Sequence, residues 1–109
     1  MKRLVLLLVL ISTPVTANEV MQNWLKLDRV QRALWIAGSM DGFSAQVALS
    51  RPLLIPQLDE CLKRHKHTNE VLADRVHAYI NATPSSQNFT PGQVTLVYIS
   101  KLCGIRLDQ

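Results

Sequence analysis

The sequence predicts a small all-α domain of about four helices, stapled by one disulfide. Three observations carry that expectation. Apolar residues recur three and four apart through most of the chain instead of alternating. Capping residues and prolines cut the periodic stretches into segments of helical length. Cys61 and Cys103 are the two cysteines of a 109-residue chain, short enough that a single cross-link carries a large share of its stability.

The first residues read as an export signal. Met1-Lys2-Arg3 is basic, Leu4 to Ile11 is an unbroken apolar run, and Val15-Thr16-Ala17 places small residues before a cleavage point after Ala17. The run is too short to span a bilayer. No cysteine follows it to take a lipid, and no later stretch has the makeup of a span. The expectation is therefore a signal peptide over residues 1–17, one all-helical domain over 18–109, and no membrane anchor after cleavage. A retained interfacial anchor is the alternative. Removing Lys2 and Arg3 leaves 10 basic residues against 8 acidic ones, too balanced a composition to argue for nucleic acid as a partner.

In an exported chain the two cysteines read as a Cys61–Cys103 disulfide, and closing a loop of that length stabilises by roughly 4 kcal/mol. Cys61, His65 and His67 form the alternative, a metal site, but their spacing matches no closed ligand set. No cofactor is expected.

The first helix is expected from about Asn23 to Leu49, after a frayed lead-in over Asn18 to Asn23, because no proline falls between Val15 and Arg51. Trp24, Leu27, Val30, Ala33 and Leu34 form its stripe; Lys26, Asp28, Arg29, Gln31 and Arg32 form its wet side. Farther along, Leu34, Ala37, Gly38, Asp41, Gly42 and Ala45 share a face. Each glycine is about 1 kcal/mol worse than alanine in a helix interior. The expectation is that Gly38 and Gly42 admit another helix at close range, with Asp41 in the crevice as a cap or tether, or as a direct partner contact. The helix is free to bend or break near the two glycines. Trp35, off the stripe, is expected to be a second core contact rather than a surface aromatic.

Arg51-Pro52-Leu53-Leu54-Ile55-Pro56 is expected to be an extended, turning connection, since two prolines four apart oppose regular helix. Gln57 to Arg64 follows as a short helix with Leu58, Cys61 and Leu62 on one side, its acids early and its bases late. Lys63 to His67 is the densest basic run: a solvated helix end, or a patch for an anionic partner. Thr68 caps the next helix, which buries Val71, Leu72, Val76, Tyr79 and Ile80, turns His77 outward and ends before Pro84. Thr83 to Asn88 is a polar loop. Thr90-Pro91-Gly92-Gln93 is a capping box with proline at the first helical position. Val94, Val97, Tyr98, Lys101 and Leu102 then recur at helical spacing up to Cys103 and the terminating Gly104; the β-branched run from Val94 to Ile99 leaves a strand as the alternative. Two sequons, Asn81-Ala82-Thr83 and Asn88-Phe89-Thr90, matter only in a eukaryotic secretory pathway.

No nucleophile–base pair, paired-carboxylate set or phosphate-binding glycine loop stands out, so no enzymatic activity is expected. The order of parts is instead familiar. A signal is followed by Trp35-Ile36-Ala37-Gly38-Ser39-Met40-Asp41-Gly42, a cysteine after a proline turn, Val76-His77-Ala78-Tyr79-Ile80-Asn81-Ala82-Thr83-Pro84, and a proline-started last helix ending at Cys103. This resembles the periplasmic immunity proteins of the Rap/Tai type, which guard bacteria against cell-wall amidases delivered by type VI secretion. The likeness runs from about Trp24 to Gly104 and rests most on Trp35, Gly38, Asp41 and Gly42. It implies an all-helical periplasmic domain, often a homodimer, that inhibits a secreted cell-wall hydrolase by blocking it. A weaker resemblance, to the acid-stress chaperones of the HdeA/HdeB type, implies apolar surface exposed by acid; that family's first cysteine precedes its first long helix, where this chain has none. A structural accessory protein is the third reading. The contact surface is expected at the turn over 51–57, with Leu53, Leu54 and Ile55 as anchors or core, and at the loop over 84–89, with Gln87 and Phe89.

Overall fold

The computed structural model describes residues 15–106, and these form helices joined by short turns, with no strand. Their order is α1 (Ala17–Leu25), α2 (Arg29–Ser50), α3 (Leu54–Arg64), α4 (Asn69–Ala82), a 3-10 turn (Pro84–Asn88) and α5 (Pro91–Cys103). Among the described residues five α-helices replace the expected four because the long first helix is two. Most of the expected signal peptide, residues 1–14, lies outside the described residues.

The expected frayed lead-in is helix α1. The Thr16 hydroxyl accepts a hydrogen bond from the Glu19 N–H, and Met21 and Trp24, three apart, bury completely. The expected cleavage after Ala17 would remove that cap. The interruption falls not at the glycines but at Lys26–Asp28. There Asp28 turns extended and its carboxylate accepts from the Gln31 N–H at 2.8 Å, so a residue read as part of a wet face is an N-cap. Beyond it, α2 runs unbroken through Gly38 and Gly42.

The inward face of α2 is also not the expected one. Ala33, Ile36 and Val47 are buried, with Met40 and Phe43 packed against them, while Val30 and Leu34 stand in solvent. That inward face lies chiefly on α4, which contributes Leu72, Ala73, Val76 and Ile80. At the start of α2, Arg29 reaches across to α4, 2.9 Å from Asp74 and 3.4 Å from Glu70.

The proline connection is shorter than expected. α3 begins at Leu54 and takes in Pro56, whose missing N–H would be unpaired in a first turn anyway. Only Arg51–Leu53 turns. Leu54, Leu58 and Cys61 form the buried side of α3, and Lys63 and Arg64 sit in its last turn, where cations suit the helix dipole. The chain leaves α3 through Lys66 at φ 57°, while the His67 N–H donates to the Leu62 carbonyl at 2.7 Å, a closure that glycine more often provides.

The later elements match expectation more closely. Thr68 caps α4. Residues 84–88, expected as a loop, wind into the 3-10 turn. The capping box at Thr90 and Gln93 is present with Pro91 at the first position, and Gly104 ends α5 in the left-handed conformation at φ 65°. The stretch from Val94 to Ile99 is helix. The Cys61–Cys103 disulfide joins α3 to α5 across a Cα–Cα distance of 5.9 Å, within the range such a bridge requires. None of the helices among the described residues is long and apolar enough to cross a membrane.

Candidate functional site

The motif Trp35–Gly38–Asp41–Gly42 does not form a crevice. Gly38, Asp41 and Gly42 lie on the exposed side of α2, and a Cβ built at either glycine meets nothing within 4 Å. Trp35 alone turns inward, half-buried against the core. The glycine that does face a neighbouring helix lies elsewhere, at ordinary van der Waals range. At Gly92, in the first turn of α5, a Cβ would stand 3.6 Å from the Ser39 Oγ and 3.8 Å from the Trp35 ring. The motif therefore meets α5 through Trp35 and Ser39, and its glycines face out.

The expected contact residues divide. Leu54 is core at 4% exposure and Ile55 packs partly against it, whereas Leu53 stands 78% exposed. Leu53 borders a depression of about 320 Å³ walled by Ser50, Arg51 and Gln57. Gln87 is a tether: its side-chain oxygen accepts from the Gln22 Nε2 and its carbonyl from the Asn18 Nδ2, each at 2.9 Å, pinning the 3-10 turn to α1. Phe89 is 54% exposed and borders a different cavity.

That cavity, of about 170 Å³, is the candidate site. Tyr79 of α4 and Thr83, just after its end, form one wall, and Val94, Val97 and Gln93 of α5 the other. Ser86 and Phe89 close its end; the Ser86 hydroxyl donates to the Thr83 carbonyl at 2.6 Å, which satisfies the serine without projecting it into the groove. Val97 is 46% exposed, so the apolar wall opens to solvent. From Tyr79 a row of aromatic and basic groups leads away. Lys101 Nζ donates to the Tyr79 hydroxyl at 2.9 Å and lies 5.2 Å from the ring centre. Tyr79 meets Tyr98 edge-on at 6.3 Å, and Tyr98 stacks on His67 at 5.9 Å. His67 Nδ1 lies 2.8 Å from the His65 carbonyl, which only accepts; in the neutral ring Nδ1 carries the proton and Nε2 accepts from the Tyr98 hydroxyl at 2.8 Å. Burial raises the pKa of that hydroxyl above its ordinary value.

Sequence reasoning assigned Tyr79 to a buried stripe and Val97, Tyr98 and Lys101 to helix periodicity alone. One signal was available: no Asp or Glu occurs between Arg75 and Arg106.

A second polar cluster lies on the far side of α4. The hydrogen bond from Arg29 holds the Asp74 carboxyl below its ordinary pKa. His77, expected outward, is half-buried with its ring 6.1 Å from that of Trp24, and burial, aided by Arg32, lowers its pKa. Among the described residues no group of three His, Cys, Asp or Glu side chains is placed to hold a metal ion. Comparison with protein-family models, with curated proteins and with solved structures finds no match to this chain.

Proposed function

We propose that the chain is an exported, immunity-type inhibitor that binds a secreted cell-wall amidase in the periplasm and occludes it without chemistry of its own. The observation that carries this reading is the open apolar groove at Tyr79, Phe89, Val94 and Val97, set on a scaffold that leaves it little freedom. The disulfide holds the end of α5, the capping box its start, and Gln87 ties the adjoining turn to α1. Rigid elements around an exposed apolar recess lower the entropy lost on docking. The N-terminal signal and the resemblance of residues 24–104 to the Rap/Tai type supply the compartment and the class of target.

The test is to express the tagged chain with its own N-terminus in a bacterial host. Recovery in osmotic-shock fluid with a new N-terminus near Asn18, and a stoichiometric hydrolase captured from the source organism whose activity falls in the complex, are the expected results. Retention of the intact chain in the cytoplasm, or capture of no hydrolase at neutral pH, refutes the reading.

One observation favours a second reading, an acid-activated chaperone. His77 packs against Trp24 and near Arg32, and both neighbours have a buried donor, Trp24 Nε1 and Arg32 Nε, without an acceptor among the described residues. A proton added at His77 adds positive charge beside these donors, with Asp74 as the opposing carboxylate. Many unrelated clients bound after a shift to acid, and none at neutral pH, would select this reading.

A further inference from the structure

The geometry points to the groove beside Tyr79 and the basic row next to it as one docking surface for an acidic protein segment that carries an apolar side chain. This inference rests on the reading that the chain binds a protein partner, and it adds the chemistry of the part that docks. Tyr79 belongs to both halves: its ring walls the groove and its hydroxyl accepts from Lys101. On α5, Val97 and Lys101 are one turn apart, so the open apolar wall and the ammonium share a face. On α4, exposed Arg75 stands one turn before Tyr79 and acts electrostatically on Tyr98. His67 completes the row against Tyr98.

Among the described residues no ion pair compensates the charge on this face. α5 contains no acid, and none occurs in the sequence from Arg75 to Arg106. The two acids of α4, Glu70 and Asp74, are held by Arg29 of α2. Among the described residues neither Arg75 nor Lys101 pairs with a carboxylate; Lys101 is oriented by a neutral hydroxyl and keeps its charge available. Carboxylates on a partner would meet that field, steering encounter and fixing register, while the groove takes the apolar side chain. A cavity of about 170 Å³, with Tyr79 on one wall and Phe89 at its end, suits a single Leu or Phe side chain rather than a lipid surface or a run of stacked bases. Those features favour protein over membrane or nucleic acid.

The test uses the purified, exported form of the whole chain and a labelled peptide, Glu-Glu-Leu-Phe-Glu-Glu. Comparison probes are its Gln-for-Glu counterpart, its Ala-Ala counterpart lacking Leu-Phe, phosphatidylglycerol–phosphatidylcholine vesicles and an oligo-dT strand. The expected result is binding of the first peptide that weakens about tenfold on loss of either its charges or its apolar pair, and that declines as salt is raised. Lys101→Glu, Arg75→Glu and Val97→Asp each weaken it about tenfold, and Lys26→Glu, in the turn after α1, leaves it unchanged. Lys101→Gln and Arg75→Gln replace the reversals if these lower the unfolding midpoint, and they too weaken binding. Equal binding of the Glu and Gln peptides, equal effects of Lys26→Glu and Lys101→Glu, or tighter binding of vesicles or oligo-dT overturns the inference. If a hydrolase is captured equally by wild type and Lys101→Glu, acidic docking fails and the immunity reading stands. If the peptide behaves as expected and no hydrolase is captured, the immunity reading alone fails.

Discussion

The two faces of α2 have opposite relations to their sequence. The face marked by Leu34, Gly38, Asp41, Gly42 and Ala45, the one most suggestive of tight packing, is exposed. The face made of Ala33, Ile36 and Val47, ordinary by comparison, carries the core against α4. The contact that α2 does make with a glycine of another helix runs from Trp35 and Ser39 to Gly92, and there a Cβ would meet its neighbours at ordinary van der Waals distance. Small residues along a helix show where a neighbour is tolerated. They do not show that one is there, because an exposed glycine and a crossing glycine look alike in one dimension.

This contrast is open to breaking. The largest effect is expected at the bridge that holds α5, and with it Gly92, to α3: Cys61→Ser should lower stability by roughly 4 kcal/mol, read from urea unfolding without reductant. An unchanged midpoint would mean that packing alone holds α5 in place. Next, Ile36→Ala should lose about 3 kcal/mol and Leu34→Ala no more than about 0.5, the one being fully buried and the other 68% exposed. Equal losses would reverse the assignment of the two faces.

Gly92→Leu should destabilise by about 2 kcal/mol, since a branched side chain there presses on the Trp35 ring. Gly38→Ala should do the opposite and stabilise by about 1 kcal/mol through helix propensity alone. A destabilised Gly38→Ala chain that elutes as a smaller species than wild type would show that a second molecule covers the outer face.

The smallest effect is in pH. Burial sets the folded pKa of His77 below the ordinary 6.5, so the unfolded chain takes the proton first as pH falls. Stability is full above about pH 6.5, declines as pH drops from there through the folded value, and levels off below it. Asp74, with its folded pKa below 3.8, adds stability above that value that is lost only as pH falls farther, through the folded pKa. Melting temperature against pH should therefore show two windows, and His77→Gln should flatten the upper one and leave most of the lower one, which the Arg29 hydrogen bond chiefly sets.

How legible each part was follows from how local its cause is. The capping box at Thr90 and Gln93, the cap at Thr68 and the stop at Gly104 depend on groups within a few residues, and all three were readable. So was the disulfide, because two cysteines leave one intramolecular pairing. The break at Lys26–Asp28 was hidden because Asp28 serves equally as a surface acid and as a cap. Pro56 was misread because a proline inside an apolar run looks like a breaker unless the helix start is known to lie two residues before it. In the candidate site, Phe89 was anticipated from its loop. Tyr79, Val97 and Lys101 were not, since each is spaced as a core or surface residue of its own helix.

The sequence by itself determined that this chain is helical, where its last two helices begin and end, and which two sulfurs join. Caps, propensity and cysteine count act within one segment or leave a single choice. Only the tertiary structure decided which face of α2 is the inside, that Gly92 and not Gly38 lies at a helix crossing, and that Tyr79 links an apolar groove to a basic row. Those outcomes depend on how helices rotate and cross to bury the most apolar surface together. Neighbours distant in sequence set that rotation, and no local pattern encodes it.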